Sequence, residues 1–255
     1  MSGLLPSVGF TYANTIEFTR LYQTAKQEAE IITTSVGTYY RWGVPIPDTD
    51  DFEIELWLKE SHAGDKQIIN AHFIGATEAN IELAAALGPR EGQHYDGAYR
   101  FTYDQLIRMG DSVAESPLVF ECPNVDCGEN FTLPYKTRVS MCGLAGGFTC
   151  YDDEADYLAR SKGPPPSYIF SDDLMRDGQA CPDPISAITH FTGLVEETAI
   201  MTNPVTGCDF TWAVIDTGVL GVLDVVAAPD GLDGFLRENG VVKGTVWLSG
   251  RLMEW

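Results

Sequence analysis

Apolar residues recur at two different periods along this chain, and the change of period separates its elements. Phe18, Leu21, Tyr22, Ala25 and Ala29 follow the three-to-four spacing of a helix with one apolar face. Asn14 and Glu17 stand ahead of that run at capping-box spacing, so residues 15–30 are predicted as one amphipathic helix. From Ile31 onward the period falls to two. Ile31–Tyr40 is rich in β-branched and aromatic residues. Phe52-Glu-Ile-Glu-Leu56 alternates apolar with acidic, which predicts a strand whose acidic face is in water. Gln67–Gly75 and Asn80–Leu87 read as the next elements, with the alanines at 84–86 leaving the second open between helix and strand. Phe101–Met109 is compatible with a short helix. Pro117–Cys122, Asn130–Pro134 and Thr137–Thr149 read as strands, and Asp152–Arg160 as a short helix.

Ser161-Lys-Gly-Pro-Pro-Pro-Ser167 cannot continue a helix or a central strand, and a polar stretch runs on to Cys181-Pro-Asp-Pro184. The chain is therefore expected to be α+β, mainly β, in two domains. Residues 1–160 would carry the N-terminal helix and an antiparallel sheet, 161–184 a proline-rich linker, and 185–255 a small barrel. Four strand-like runs make that last module: Ile185–Met201, Asp209–Asp216, Val219–Ala227 and Val241–Leu252. The first is long enough to bend at Gly193 into two strands. Pro229–Asn239 reads as a turn leading into a short helical stretch. In the last run Val242, Gly244, Val246, Leu248, Gly250 and Leu252 share one face, and glycines alternating with aliphatics suit a coiled strand that closes a small barrel.

In strand count, long first strand and glycine placement, residues 185–255 resemble the five-stranded oligonucleotide/oligosaccharide-binding (OB) barrel. The helical stretch departs from that family's pattern, because it precedes the last strand rather than lying between strands three and four. Separately, Gly221-Val-Leu-Asp-Val-Val-Ala227 and Trp247-Leu-Ser-Gly-Arg251, after the Thr202–Gly207 turn, are similar to a pattern recurring in uncharacterised bacterial proteins. That similarity implies no activity.

Charge changes what the barrel is expected to bind. The chain holds 37 Asp and Glu against 16 Lys and Arg, a formal net charge of −21. Such a balance repels nucleic-acid phosphates and anionic lipid, so neither nucleic acid nor membrane is an expected partner. It suits solubility, a basic protein partner, or a cationic ligand. The start, Met-Ser-Gly-Leu-Leu-Pro-Ser, has neither the basic nor the apolar region of a signal peptide, and no run approaches the length of a membrane span. A cytoplasmic location is expected, with Cys122, Cys127, Cys142, Cys150, Cys181 and Cys208 as reduced thiols.

Chemical motifs are sparse. Val214-Ile-Asp216-Thr-Gly218 copies the aspartic-protease signature but occurs once, and reads as a hairpin turn. Cys122 and Cys127 have the spacing of a zinc half-site without a second close pair, so no metal is expected. Phosphate-binding glycine loops are missing, and no cofactor is expected. Among the four histidines, His62 and His94 sit in polar, turn-like surroundings, while His72 and His190 follow strand patterns beside Phe. Sequence leaves open whether His72, His94 or His190 meets a thiol or carboxylate. His72-Phe-Ile-Gly-Ala-Thr-Glu78 and His190-Phe-Thr-Gly-Leu-Val-Glu196 share four of seven positions, which reads as coincidence. The acidic groups around Asp48, Asp152 and Asp172 lack the order of calcium ligands.

On the barrel's last strand Lys243, Trp247 and Arg251 face away from the core row, and together could stack on a ring and hold an anionic group. The competing reading has Trp247 covering the first domain while the two cations offset carboxylates. Taken together, these features read as a non-catalytic acidic interaction protein with a basic partner, in the manner of an immunity or inhibitor protein. Two alternatives stay open. One is a hydrolase whose Cys/His or divalent-metal site is assembled from distant residues. The other is a small-ligand-binding barrel.

Overall fold

The computed structural model describes residues 4–35, 37–49, 51–61, 67–88, 97–102, 107–109, 112–114, 117–127, 131–163, 166–172, 175–176, 179–180, 186–218 and 220–253. His62, His94 and Cys181 lie outside them. The chain is mainly β with two α-helices among the described residues, α1 (Thr15–Glu28) and α2 (Glu154–Arg160). Asn14 Oδ1 caps α1 by accepting from the N–H groups of Ile16 and Glu17, while Glu17 reaches back to the N–H of Ala13.

A four-stranded antiparallel meander contains β1 (Glu30–Thr33), β2 (Gly37–Pro45), β3 (Glu53–Ser61) and β4 (Gln67–Ile74). A larger sheet takes β5 (Glu78–Leu87), β6 (Ala98–Thr102), β9 (Leu118–Glu121), β10 (Tyr135–Tyr151), β11 (Tyr168–Ser171), β14 (Ile188–Thr202), β15 (Asp209–Asp216), β16 (Val222–Ala227), β17 (Leu232–Asp233) and β18 (Val241–Leu252). Two small hairpins stand apart, β7 (Ile107–Met109) with β8 (Ser112–Ala114), and β12 (Met175–Arg176) with β13 (Gln179–Ala180).

The larger sheet closes on itself. β14 pairs with β15, β15 with β16, β16 with β10 in parallel, β10 with β18, and β18 again with β14. The ring is therefore not complete within 185–255; its fifth strand is β10, from before the proline-rich stretch. β14 runs through as one strand, with its first half on β18 and its second on β15, and a bulge between Val195 and Glu197. Gly193 permits this turn from one partner to the other, because a Cβ there would strike the Ile215 side chain and lie 2.6 Å from the Asp216 carbonyl. β10 and β18 also belong to a second circuit through β5, β6 and β9, closed by a parallel bridge between Ser249 and Glu121.

One apolar core fills both circuits, with Phe101, Phe120 and Leu248 at one end and Phe148, Phe191 and Ile215 at the other. The glycines on the β18 core row make room for rings: Gly244 backs onto Phe148 and Gly250 onto Phe120. A second core lies between the four-stranded sheet and the outer face of the ring. There Phe73 meets Phe210 edge-on at 6.0 Å, and Phe52 packs on Trp212 at 5.0 Å. Truncating such a ring costs about 3–5 kcal/mol, so this second core is what holds the two layers together.

Several expectations change. Phe101 lies within β6 and Ile107–Met109 is another strand, because pairing with β5, β9 and β8 overrides local helical preference. Residues 131–134 lie outside the ladders. The stretch after Pro229 holds one 3-10 turn, Pro229–Gly231, and then β17. The acidic face of β3 is not in water: Glu55 is fully buried and Glu53 half-buried, since the second layer covers them and sets Arg251 against Glu55, while Arg41 of the neighbouring β2 pairs with both.

Candidate functional site

Four adjacent strands of the larger sheet carry two parallel rows of side chains across their outer face. Register places Gly147, Thr245, His190 and Phe170 in one row, on β10, β18, β14 and β11. Two residues along, Thr149, Lys243, Thr192 and Tyr168 form the next, and β17 extends it with Asp233 beside Thr149. Residues opposite one another in register share a face, so both rows point the same way. Above them is an open groove of about 720 Å³, bounded by Phe170 on one side and by Asp230–Asp233 on the other. Its floor is low for a sequence reason. β10 carries Gly146-Gly147 there, with a bulge that leaves Gly146 outside the register with β18.

His190 is the polar centre of this groove. Thr245 Oγ1 lies 3.1 Å from its Nδ1, and Asp172 Oδ1 lies 2.6 Å from its Nε2. Phe170 stacks on the imidazole with ring centroids 5.2 Å apart. Hydroxyl, imidazole and carboxylate thus form one hydrogen-bonded chain, and the His190 side chain remains 39% exposed at the groove wall. The three members come from residues 172, 190 and 245, joined by the β11–β14–β18 ladder.

The second histidine cluster is sealed. His72 on β4 is fully buried, with Nδ1 2.9 Å from Ser249 Oγ and Nε2 3.3 Å from Ser140 Oγ. Cys142 Sγ lies 3.6 Å from the same Nδ1. Burial pushes His72 down to about 4, against the opposing pull of Glu55, so the ring is neutral near pH 7. Burial also pushes the Cys142 thiol well above its ordinary value, which keeps it a thiol rather than a nucleophilic thiolate. Beside them Glu55 accepts from Arg41 at 2.6 Å and from the Trp57 indole at 2.8 Å, and forms an ion pair with Arg251 at 3.2 Å. Burial opposes charge on Glu55, but the His72 imidazole when protonated, the two guanidiniums and the indole N–H outweigh it and hold its carboxyl below the ordinary range. This cluster joins β4 and β3 of one layer to β10 and β18 of the other.

The three residues singled out on β18 share a face and are not brought together. Lys243 lines the groove. Trp247 is half-buried, packs beside Ala187 and Val119, and donates its indole N–H to Glu121 at 2.5 Å. Arg251 lies in the buried Glu55 cluster. The five described cysteines are free thiols. Cys122 is buried and donates to Asn124 Oδ1 at 3.3 Å within the turn that leads to Cys127. Among the described residues no group of three or more His, Cys, Asp or Glu side chains could hold a metal ion. No described helix is long and apolar enough to cross a membrane. Asp216-Thr-Gly218 is the β15–β16 hairpin turn, with the Gly218 N–H on Asp216 Oδ1 at 2.7 Å. The His-Phe-x-Gly-x-x-Glu echo has no structural counterpart: His72 is late in β4 and buried, His190 early in β14 and open. Sequence reasoning passed over Thr245, Phe170 and Asp172 as site residues, since only strand register joins them to His190.

Comparison of the chain with known protein families, with curated proteins and with solved structures finds no match in any of the three.

Proposed function

We propose that the five-stranded ring is an OB-like barrel and that its outer groove binds a small neutral polyhydroxylated ring, a saccharide unit. The observation that carries this reading is the convergence of unlike groups on one concave face of about 720 Å³. The Phe170 ring at the groove edge offers an apolar surface for a sugar's C–H groups, while Thr149 and Thr245 offer hydroxyl partners. Asp230 and Asp233 on the rim, with Asp172 behind His190, outnumber the Lys243 ammonium and disfavour phosphate or sulfate. The ring closure and the long, bent first strand support the OB-like assignment.

Titration of the 15N-labelled protein with neutral trisaccharides, and in parallel with a sulfated oligosaccharide, tests the reading. Shifts confined to β10, β14 and β18 with the neutral sugars, lost in Phe170→Ala, are expected. Shifts with the sulfated ligand alone, or none in the groove, would overturn it. A second reading, docking of a basic protein partner, is supported by the net charge of −21. Such docking weakens steeply with salt, whereas neutral-sugar binding does not.

A further inference from the structure

We infer that the groove is also catalytic, and that Thr245, His190 and Asp172 form a hydrolytic relay acting on O-acyl esters. The inference rests on the groove being a ligand site and goes beyond binding. Three observations carry it. The Thr245 hydroxyl lies 3.1 Å from His190 Nδ1, within reach for transfer of its proton to the ring. Asp172 holds the opposite nitrogen at 2.6 Å, which fixes the ring orientation and stabilises the imidazolium formed in the step. Gly146 adjoins Thr245, since a Cβ on it would lie 3.4 Å from the Thr245 carbonyl, and it sits in a bulge outside the register with β18, so its N–H is the backbone group this inference assigns to the developing oxyanion.

The step balances as follows. Thr245 Oγ1 attacks the ester carbonyl carbon, its proton passes to His190 Nδ1, and an acyl–oxygen bond to Thr245 forms. The carbonyl re-forms, the alkoxy group leaves, and His190 returns the proton to that oxygen, so an alcohol departs. Water then attacks the acyl-Thr245 carbonyl and gives its proton to His190. The acid is released and Thr245 recovers its hydrogen. Water is the only co-reactant. Thr245 and His190 touch the reacting atoms and are catalytic residues; Asp172 is a positioning residue.

The probe is p-nitrophenyl acetate, hydrolysed by the full chain at pH 7.5, with intact-mass and peptide analysis of the quenched reaction. The wild type is expected to exceed the buffer rate and to carry an adduct of about 42 Da on Thr245, an acetyl group in place of the hydroxyl hydrogen. Thr245→Val and His190→Asn should each lower turnover at least tenfold, and Thr245→Ser should retain it. Asp172→Asn should lower kcat with KM unchanged, a split that a merely structural role would not give. Far-UV circular dichroism on each variant identifies any that failed to fold, and Thr245→Ser then decides. Turnover unchanged in Thr245→Val, or acetylation only at Lys side chains, overturns the relay. Sugar-induced shifts that persist without turnover leave the binding proposal standing and remove this one. Turnover with no sugar binding does the reverse.

Discussion

His72 and His190 sit beside Phe in strands, each has both ring nitrogens within hydrogen-bonding range of side-chain oxygens, and they differ chiefly in depth. His72 lies between two layers, where Ser249 and Ser140 satisfy it and water has no access. His190 lies on the outer face of the larger sheet, 39% exposed, with a groove in front of it. In the first place a polar network fixes how two layers align, and its cost is desolvation. In the second the ring can still exchange a proton with something that arrives from solvent. The comparison teaches that a histidine–hydroxyl–carboxylate set signals chemistry only where one side of it faces free volume.

The largest effect should come from breaking the sealed cluster. Glu55→Ala leaves Arg41 and Arg251 without their shared carboxylate at a fully buried position. Removing one partner of such a group costs about 3–5 kcal/mol, read as a drop in the urea midpoint at constant slope. A loss under about 1 kcal/mol would mean that the layers are joined by apolar packing alone and that the comparison is overdrawn.

Acid should act on the same cluster. The folded-state value of His72 is depressed from 6.5 to about 4, so the unfolded chain binds the proton more readily between those limits. Stability is therefore full above about pH 6.5 and falls as the pH drops towards 4, by about 3 kcal/mol for a shift of this size. Glu55, held below its ordinary value, is lost only at still lower pH, and Glu53, raised by burial, works weakly in the opposite direction. His72→Gln should flatten the curve between pH 6.5 and 4, even if it lowers stability throughout. An unchanged slope in that variant would assign the acid sensitivity to other groups.

Much of the fold was legible because local pattern and tertiary demand agree there. The periodicity of α1, the Asp209–Asp216 strand and the two faces of β18 could be read directly, since each apolar row buries on one side. Legibility ended where the outcome depended on a distant strand. The alternation in β3 shows which residues share a face, but not that a second layer with Arg251 covers the acidic one. The ring's fifth strand lies in sequence within the first predicted domain, and nothing local marks it as the partner of β16. The groove failed to show for the same reason: Phe170, His190 and Thr245 are spread over residues 170–245 and meet only through register.

Trp247 tests the boundary between the two regions, since it lies on β18 between Lys243 of the groove and Arg251 of the sealed cluster. It is half-buried, with its indole N–H on Glu121. Trp247→Ala should cost about 2–3 kcal/mol, below the range for a fully enclosed ring. Sugar-induced shifts in the groove should persist in this variant. Their loss would extend the ligand site along β18 and restore Lys243, Trp247 and Arg251 as one binding surface.

The smallest stability effect should accompany the largest functional one. His190→Asn removes an exposed pair with Asp172, and exposed pairs contribute about 0–1 kcal/mol. The asparagine keeps a polar group near Thr245, so the urea midpoint should stay within measurement scatter of the wild type. Ester turnover should nevertheless fall at least tenfold, because an amide cannot accept the Thr245 proton at neutral pH. The two histidines would then separate cleanly: one substitution alters stability through a sealed network, the other alters chemistry at nearly constant stability. The decisive contrary result is a His190→Asn protein that loses several kcal/mol in urea yet hydrolyses the ester at the wild-type rate. In that case His190 would be a packing residue like His72, and exposure to the groove would carry no chemical meaning.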